Sequence, residues 1–271
     1  MTKTLFSGTG VALITPFRKQ DAVDFSTLEA LINHIIESGV EYILETVAGR
    51  VPVVLGIGGN CTRVVIDTIN QTPMDGIAGI LSVTPYYNKP NQRGILQHYR
   101  HIADAATVPV IAYNVPGRTG VNISAETMLQ IAEECPNVVA VKEASGNMSQ
   151  IMEIIRCKPD GFKVISGDDA LTLPMIAAGA QGVISVIANG CPKETSQMVR
   201  YALKGDFKKA LPLHYKLLPL MHAIFEEGNP TGIKALLEIE GRISNNLRLP
   251  LVKSSTQLYN KISGLYNDFN K

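Results

Sequence analysis

The sequence repeats one unit, in which a short run of β-favouring apolar residues is followed by a stretch with helical spacing of its apolar positions. Apolar strands that alternate with amphipathic helices are typical of a parallel sheet covered by helices. Eight such units predict a (β/α)8 TIM barrel, which a chain of 271 residues with 45% hydrophobic residues can fill as one core. The predicted strands are Gly10–Thr15, Tyr42–Leu44, Val51–Gly56, Gly79–Thr84, Val108–Asn114, Val138–Lys142, Lys163–Ser166 and Gly182–Ala188.

The helical stretches support this interpretation and continue beyond the barrel. Ser26–Ser38 carries one apolar stripe at 3.6-residue spacing, and Ser124 is placed as the N-cap of a later helix. Helical segments after the eighth strand exceed what a barrel needs, so they predict a C-terminal helical extension; they cover about 193–204, 207–226, 230–240 and 254–268. We therefore predict a barrel over 1–192, and the last barrel helix with the extension over 193–271.

The second βα unit is incomplete in this sequence. Its strand is a stub, and only Glu45–Arg50 separates Leu44 from the next strand at Val51. A parallel crossover with its helix needs at least about 10–12 residues, and a full barrel unit averages about 30. Roughly two dozen residues are therefore missing, through an engineered deletion, a natural loss or a segment left out of the sequence. We favour the last, because an open barrel edge would expose apolar strands.

Composition and short motifs bear on the binding partners and the cellular location of the protein. The net charge is +1, with no basic tract and no acidic tail, so neither a nucleic acid nor a membrane surface is expected to bind. The first residues lack the apolar core of a signal peptide, which predicts a cytoplasmic protein with reduced cysteines. His98 and His101 are spaced for a metal, but a third ligand is not nearby in the sequence, so we favour a solvated helix face and no metal.

Lys142 ends an otherwise apolar predicted strand. A buried cation is costly unless it is neutral or paired, and in water only ~0.04% of a lysine is free amine at neutral pH. Burial lowers a lysine pKa by up to several units, which produces the amine that attacks carbonyl groups. The alternative for this residue alone is a strand-end lysine that reaches solvent.

Other polar side chains follow neighbouring predicted strands, where barrel enzymes carry their functional groups. A phenol both donates and accepts a proton, so Tyr113 is a candidate proton shuttle and Tyr87 a candidate extension of the relay. Arg118 is placed to bind a carboxylate, and Gly167 allows close approach of a small ligand. Each also has a structural alternative: rim packing for the tyrosines, a loop ion pair for Arg118, and a turn with a helix cap for Gly167 and the two acids after it.

Four motifs together resemble the dihydrodipicolinate synthase family, one of the pyruvate-dependent class I aldolases that include N-acetylneuraminate lyase. The similarity extends over nearly the whole chain, and the motifs in this order are highly specific. They are Thr84-Pro85-Tyr86-Tyr87-Asn88, Tyr113-Asn114-Val115-Pro116-Gly117-Arg118-Thr119-Gly120, Val141-Lys142-Glu143-Ala144-Ser145-Gly146 and Ser166-Gly167-Asp168-Asp169.

The resemblance implies a lyase that condenses pyruvate with L-aspartate-4-semialdehyde to 4-hydroxy-tetrahydrodipicolinate, towards diaminopimelate and lysine. Lys142 would form the Schiff base, so no metal or organic cofactor is implied. Tyr113 would move protons with Tyr87 in its relay, Arg118 would bind the semialdehyde carboxylate, and the Ile184 carbonyl would contact pyruvate. The family is usually a homotetramer built of two dimers.

The sequence departs from the family in two places. The family's Gly-Thr-Thr-Gly-Glu motif, whose threonines bind pyruvate and complete the relay, falls in the gap after Leu44, so a chain that truly lacks it is expected to have little activity. Asn60 and Tyr86 match positions of a lysine feedback site, but Val64 stands where a glutamate would bind the effector, which leaves regulation open. Two further hypotheses remain: a lyase with another acceptor, such as the N-acetylneuraminate lyase type, and a catalytically impaired, truncated barrel.

Overall fold

The computed structural model describes residues 6–19, 22–37 and 47–271, and for residues 35–37 only the backbone. The predicted strand Tyr42–Leu44 lies outside the described residues. The described chain packs into two compact units. The sheet unit comprises residues 6–7 and 49–184, and the helical unit comprises 8–19, 22–37, 47–48 and 185–271.

Seven strands are described, and they alternate with helices along the chain as the repeat predicts. From β2 to β7 they follow one another across the sheet in chain order, and the pairings from β2 to β7 are parallel. The strands are β1 (Gly8–Val11), β2 (Val53–Gly56), β3 (Ile77–Val83), β4 (Val110–Asn114), β5 (Val138–Glu143), β6 (Lys163–Ser166) and β7 (Gly182–Ser185).

The helices lie close to their predicted ranges. Ser124 is the N-cap expected from the sequence, since its side chain accepts a hydrogen bond from the Thr127 N–H at 3.2 Å. Among the described helices, none combines the length and the apolar composition needed to cross a bilayer. The helices are α1 (Phe25–Glu37), α2 (Thr62–Gln71), α3 (Gln92–Ala105), α4 (Pro116–Thr119), α5 (Ala125–Glu134), α6 (Met148–Cys157), α7 (Thr172–Ala177), α8 (Pro192–Leu203), α9 (Phe207–Ala223), α10 (Thr231–Ile239) and α11 (Thr256–Phe269).

Alternation along the strands of the sheet unit gives the sheet two differently packed faces. Ile111, Ala140 and Ile165 form a small apolar cluster on one face. Ala112 and Val141, the next residues along their strands, belong to the larger core that packs against the helices. Because side chains alternate, residues two positions beyond Ile111 and Ala140 share the face of the small cluster.

The helical unit holds β1, part of the end of β7 and the four C-terminal helices. The Ala12 N–H donates to the Ser185 carbonyl at 2.7 Å, and this joins β1 to the last residue of β7. Asn189 fixes the same segment, since its amide donates to the Ala12 carbonyl and accepts from the Ile14 N–H. A 3-10 turn at Ile187–Asn189 ends the extended chain, so β7 stops three residues before its predicted end.

Candidate active site

Lys142 and Tyr113 lie side by side where β4 and β5 end. The two residues are direct partners in the parallel register of these strands. Both project on the face of the Ile111–Ala140 cluster, since each stands two residues further along its strand. The Lys142 Nζ lies 4.2 Å from the centroid of the Tyr113 ring. The phenol predicted to accompany the amine is therefore its neighbour.

Lys142 is only 5% exposed, so its charge is poorly solvated. Burial lowers the pKa of Lys142 to about 8, with the Arg118 cation acting in the same direction and the Asp169 carboxylate opposing both. At this pKa about a tenth of the side chain is free amine at pH 7, a few hundred times more than for a lysine in water. The alternative of a strand-end lysine in solvent is therefore wrong.

The pH dependence of imine formation should follow this balance of charges. The sequence predicts Lys142 as the nucleophile, and only a neutral amine attacks a carbonyl group, so we expect kcat/KM for pyruvate to rise with pH and level off above an apparent pKa of about 8. Asp169→Asn removes the carboxylate that favours the ammonium, so the rising limb should move to lower pH. Steady-state kinetics between pH 6 and 10 measure the rising limb of the unsubstituted chain and that of the Asp169→Asn variant. An unchanged or more alkaline limb in the variant would mean that Asp169 does not set the charge of Lys142.

The main chain of Tyr113 is fixed by hydrogen bonds from Thr84. Its carbonyl accepts two hydrogen bonds from Thr84, one from the N–H at 3.0 Å and one from the hydroxyl at 2.9 Å. Burial raises the pKa of the Tyr113 phenol, and the nearby Arg118 charge opposes the shift. The phenol therefore stays protonated at neutral pH, which is the state in which it donates to one oxygen while it accepts from another donor.

The loop after β4 brings Arg118 near the amine. Arg118 lies on α4, is exposed, and acts electrostatically on both Lys142 and Tyr113. Tyr87 is connected to this loop through its backbone, whose N–H donates to the Thr119 carbonyl at 3.3 Å. The Tyr87 side chain is 88% exposed, so within the described chain its ring lies in solvent. Its place in a proton relay stays a prediction.

Gly167 follows β6 and packs directly against the amine's side chain. A Cβ on Gly167 would lie 3.0 Å from Cε of Lys142, 3.1 Å from its Cγ and 2.8 Å from Cβ of Ala144. These distances are closer than carbon atoms pack without displacement. Gly167 therefore leaves the space that the Lys142 chain occupies; direct contact with substrate, as predicted, stays a prediction.

Replacing Gly167 with alanine should displace the Lys142 side chain. We expect kcat to fall about tenfold to a hundredfold, because a shift of about 1 Å in a reacting group has a cost of this size. Gly264→Ala is the matched control, since a Cβ at Gly264 in α11 would meet no atom within 4 Å. Steady-state kinetics of both variants test this. Equal rates for Gly167→Ala and the unsubstituted chain would contradict the packing argument.

The remaining predicted residues occupy the same unit. Ile184 lies on β7, half-buried against the small apolar cluster. Asn60 and Tyr86 are both bonded to Asn88, whose side chain donates to the Asn60 carbonyl at 2.8 Å and whose N–H donates to the Tyr86 carbonyl at 2.9 Å. The two candidate regulatory residues are thus joined through one asparagine, while their role stays a prediction.

Two residues at the site were not singled out by sequence reasoning. Asp169 is buried, and its carboxylate raises the pKa of Lys142. From the sequence, the pair Asp168-Asp169 is interpreted only as a turn and a helix cap. The turn is confirmed for Asp168, whose carboxylate accepts from the N–H groups of Ala170 and Leu171, but the cap is not, since the N-cap of α7 is Leu171 and has no side-chain cap hydrogen bond. From the sequence, Thr84 is predicted only as the last residue of a strand, whereas its hydroxyl donates to the Tyr113 carbonyl. The signal that was available for both is their position where strands end.

The interpretation of His98 as part of a solvated helix face is wrong. His98 is only 2% exposed, and its Nδ1 lies 2.9 Å from the Thr62 hydroxyl. Burial lowers the pKa of His98 to about 4, so the ring is neutral at physiological pH. The helix α3 places it on the inward face with Ile95, Tyr99 and Ile102. In the described ranges, three or more His, Cys, Asp or Glu side chains do not come together in a way that could hold a metal ion.

The chain is similar to dihydrodipicolinate synthases over almost its whole length. The profile of the Dihydrodipicolinate synthetase family matches residues 40–267. A 4-hydroxy-tetrahydrodipicolinate synthase of Phocaeicola vulgatus is 45% identical, covering 99% of this chain and 98% of that protein. The crystal structure of dihydrodipicolinate synthase from Aquifex aeolicus is 38% identical, with a TM-score of 0.93 over 98% of each chain. A structure described as the first monomeric dihydrodipicolinate synthase variant is 36% identical, with a TM-score of 0.95 over 98% of each chain.

This chain belongs to the dihydrodipicolinate synthetase family. The prediction of a TIM barrel with a C-terminal helical part is confirmed by the similarity to solved structures, and the prediction of a lyase of the 4-hydroxy-tetrahydrodipicolinate synthase type is confirmed by the relatives. The alignment with the Phocaeicola vulgatus protein covers 292 positions, whereas this chain has 271 residues. At least 21 positions are thus filled in that relative alone, which agrees with an incomplete barrel unit. The division into 1–192 and 193–271 stays a prediction.

Proposed function

We propose that this chain condenses pyruvate with L-aspartate-4-semialdehyde through an imine on Lys142. The observation that carries the proposal is the pair of β4 and β5, which holds a buried amine of pKa about 8 over the ring of a protonated phenol. An amine in this state attacks a keto carbon, and a phenol beside it moves the protons that the attack requires. The names of the relatives give the product, 4-hydroxy-tetrahydrodipicolinate, and the two substrates are those that the family resemblance implies.

Each step can be written with the groups at the site. Nζ of Lys142 attacks C2 of pyruvate, and the keto oxygen leaves as water after Tyr113 has returned a proton to it. The protonated imine withdraws electrons, so C3 gives a proton to the phenolate that Tyr113 has become, and the enamine forms. The enamine carbon then bonds to the aldehyde carbon of the semialdehyde, whose oxygen takes a proton from the Tyr113 phenol and becomes a hydroxyl group. The amino group of the semialdehyde gives a proton to the Tyr113 phenolate and attacks the imine carbon. A proton then passes from the new ring nitrogen to Nζ, so the ring closes as a protonated cyclic imine and Lys142 leaves as the free amine. The imine is the electron sink, so we propose that no metal or organic cofactor takes part.

Arg118 is proposed to bind the carboxylate of the semialdehyde. A guanidinium forms two parallel hydrogen bonds to a carboxylate, and Arg118 is exposed on α4 beside Tyr113 and Lys142. The same charge helps to keep Lys142 neutral. Arg118 is also the residue that favours the synthase over a lyase of the N-acetylneuraminate type, whose corresponding loop is expected to lack it.

Arg118→Leu separates these two functions of the guanidinium. We expect KM for the semialdehyde to rise by at least about tenfold, as the loss of a charged hydrogen bond implies, while pyruvate still forms the imine. The rising pH limb should move to higher pH, opposite to Asp169→Asn, because the cation that disfavours the ammonium is gone. Initial rates with each substrate varied measure both effects. An unchanged KM for the semialdehyde would favour another acceptor.

Assembly and location follow the family as proposals. We propose a homotetramer of two dimers in the cytoplasm, in which the exposed rings of Tyr86 and Tyr87 face a second subunit. One solved relative is described as a monomeric variant, so sedimentation of this chain is the direct test.

The impaired, truncated barrel is kept as a second candidate because of two observations. The sequence lacks a Gly-Thr-Thr-Gly-Glu segment, and the alignment with the Phocaeicola vulgatus relative is longer than this chain. The intact mass of the protein decides between a segment that was left out of the sequence and a chain that truly lacks it. A mass of 29.3 kDa supports the true deletion. In that case the loss of the relay threonines should lower kcat by a factor of about 10²–10⁴.

A further inference from the structure

A buried polar cluster lies on the other face of the strands that carry Lys142 and Tyr113. Glu143 and Asn114 are the next residues along β5 and β4, and they are direct partners in the register. The Asn114 amide donates to both carboxylate oxygens of Glu143, at 3.2 and 3.1 Å. Glu143 is 1% exposed and Asn114 is fully buried. A carboxyl group is retained in a core only where its hydrogen bonds are satisfied.

The partners of Glu143 are all hydrogen-bond donors. Besides Asn114, the Ser145 N–H donates at 2.8 Å and the Gln150 side-chain amide at 3.5 Å. Donors favour a carboxylate over a carboxylic acid. Burial raises the pKa of Glu143, and these donors oppose that shift. The Glu143 side chain therefore gathers donors from β4, from the loop after β5 and from α6.

Asn114 is held in one orientation by further bonds. Its carbonyl oxygen accepts from the Ile123 N–H at 3.0 Å, and its amide donates to the Asn122 side chain at 2.8 Å. Asn122 in turn pairs with Gln150, to which its amide donates at 2.7 Å. With its oxygen used by a backbone N–H, the Asn114 amide can only offer its NH2 to Glu143.

The register of β4 and β5 needs such a connection. The register of the pairing shifts at its start, between Val110 and Ile111. A slip of one residue turns a side chain to the opposite face of a sheet. After a slip, Tyr113 and Lys142 would no longer share a face. The Asn114–Glu143 bonds stand one residue beyond the reactive pair, which is where they fix its alignment most directly.

We infer that Glu143 is a positioning residue for the reaction, because its bonds to Asn114 hold the ends of β4 and β5 in the register that sets Tyr113 beside Lys142. The inference rests on the proposed function, in which these two side chains do the chemistry. Glu143 itself lies on the helix-facing side of the sheet and does not touch substrate. Its contribution should therefore appear in kcat, through the geometry of the amine and the phenol, and little in the KM for pyruvate.

Glu143→Gln is the first test. The new amide keeps one oxygen for the Ser145 N–H but turns an NH2 towards the NH2 of Asn114, so two donors face each other. We expect kcat to fall about tenfold to a hundredfold, with KM for pyruvate within about threefold. Rates are normalised to the fraction of chains that borohydride traps with pyruvate, read from intact mass. This separates slow active sites from unfolded protein.

The double variant Asn114→Asp/Glu143→Gln restores a donor opposite an acceptor and keeps one carboxyl group in the cluster. It should recover kcat per trapped chain to within about fivefold of the unsubstituted protein, even if Glu143→Gln alone does not fold. Gln92→Ala is the matched control, since it removes two bonds to the same loop, to the Asn122 carbonyl and from the Ser124 N–H, without touching Glu143. It should leave kcat per trapped chain unchanged.

Three results would overturn the inference: unchanged kcat per trapped chain in Glu143→Gln, no recovery in a folded double variant, or an equal loss in Gln92→Ala. Failure of the unsubstituted chain to trap pyruvate is a different outcome, because it contradicts the proposed function and with it the role of Glu143 in that reaction.

Discussion

Lys142→Ala should lower kcat by more than about 10⁴-fold, the largest effect of any single change in this chain. Removing a nucleophile forfeits the covalent route, and losses of this order or larger follow in other enzymes. Other lysines cannot replace it, because the reaction needs an amine that is both neutral and beside the phenol. The fold should persist, since alanine at this position leaves the strand pairing of β5 intact.

Lys163→Ala is the control for this prediction. Lys163 lies at the start of β6, where it pairs with Ala140, two residues before Lys142. It should retain kcat within about twofold, as expected for a substitution away from the reacting groups. Steady-state rates of the two variants, with circular dichroism to show folding, test the prediction. A Lys142→Ala chain that keeps a tenth of the activity would exclude the imine route.

Tyr113→Phe should lower kcat by about 10²–10⁴-fold, the range of a lost proton carrier. The ring that Lys142 Nζ faces at 4.2 Å is kept, so burial and the pKa of the amine should change little. The imine should therefore still form at Lys142, but slowly. The pH limb near 8 should remain while the plateau falls.

Tyr201→Phe is matched to this change, since Lys209 Nζ lies 5.5 Å from the Tyr201 ring in an equivalent contact outside the site. It should have no effect on kcat. Single-turnover trapping at several pH values distinguishes a lost proton carrier from a misplaced amine. If Tyr113→Phe shifted the limb by more than a pH unit with kcat unchanged, Tyr113 would be a packing residue.

The sequence predicts the strands and their polar ends because buried parallel strands are continuous apolar runs. The interruption of such a run by Lys142 is visible for the same reason. The charge balance at the amine is not visible, because Asp169 reaches it only through the fold, and a pair of acids after a strand also reads as a helix cap. The prediction of a solvated face for His98 is wrong because it rests on the general preference of polar helix residues for solvent. In the structure the His98 side chain is turned towards Thr62.

The polar cluster behind the site illustrates a second limit. Glu143 and Asn114 stand on different strands, 29 residues apart, and pair only once the register is set. A single sequence does not give that register, which shifts between Val110 and Ile111. The space left by Gly167 for the Lys142 chain is likewise a property of three-dimensional packing. The ends of the predicted strands in the sequence indicate the candidate reactive groups, but not what holds them.

Reductive trapping with pyruvate and borohydride, followed by peptide mapping, tests the central claim most directly. The chain offers an internal comparison, because Lys234 is also buried, has a pKa lowered to about 8, and lies 4.2 Å over a ring, that of Phe17, which lacks a hydroxyl. If burial and a phenol together create the reactive amine, one pyruvate adduct forms on Lys142 and Lys234 stays unmodified. An adduct on Lys234 or elsewhere, or no adduct at all, would contradict the account.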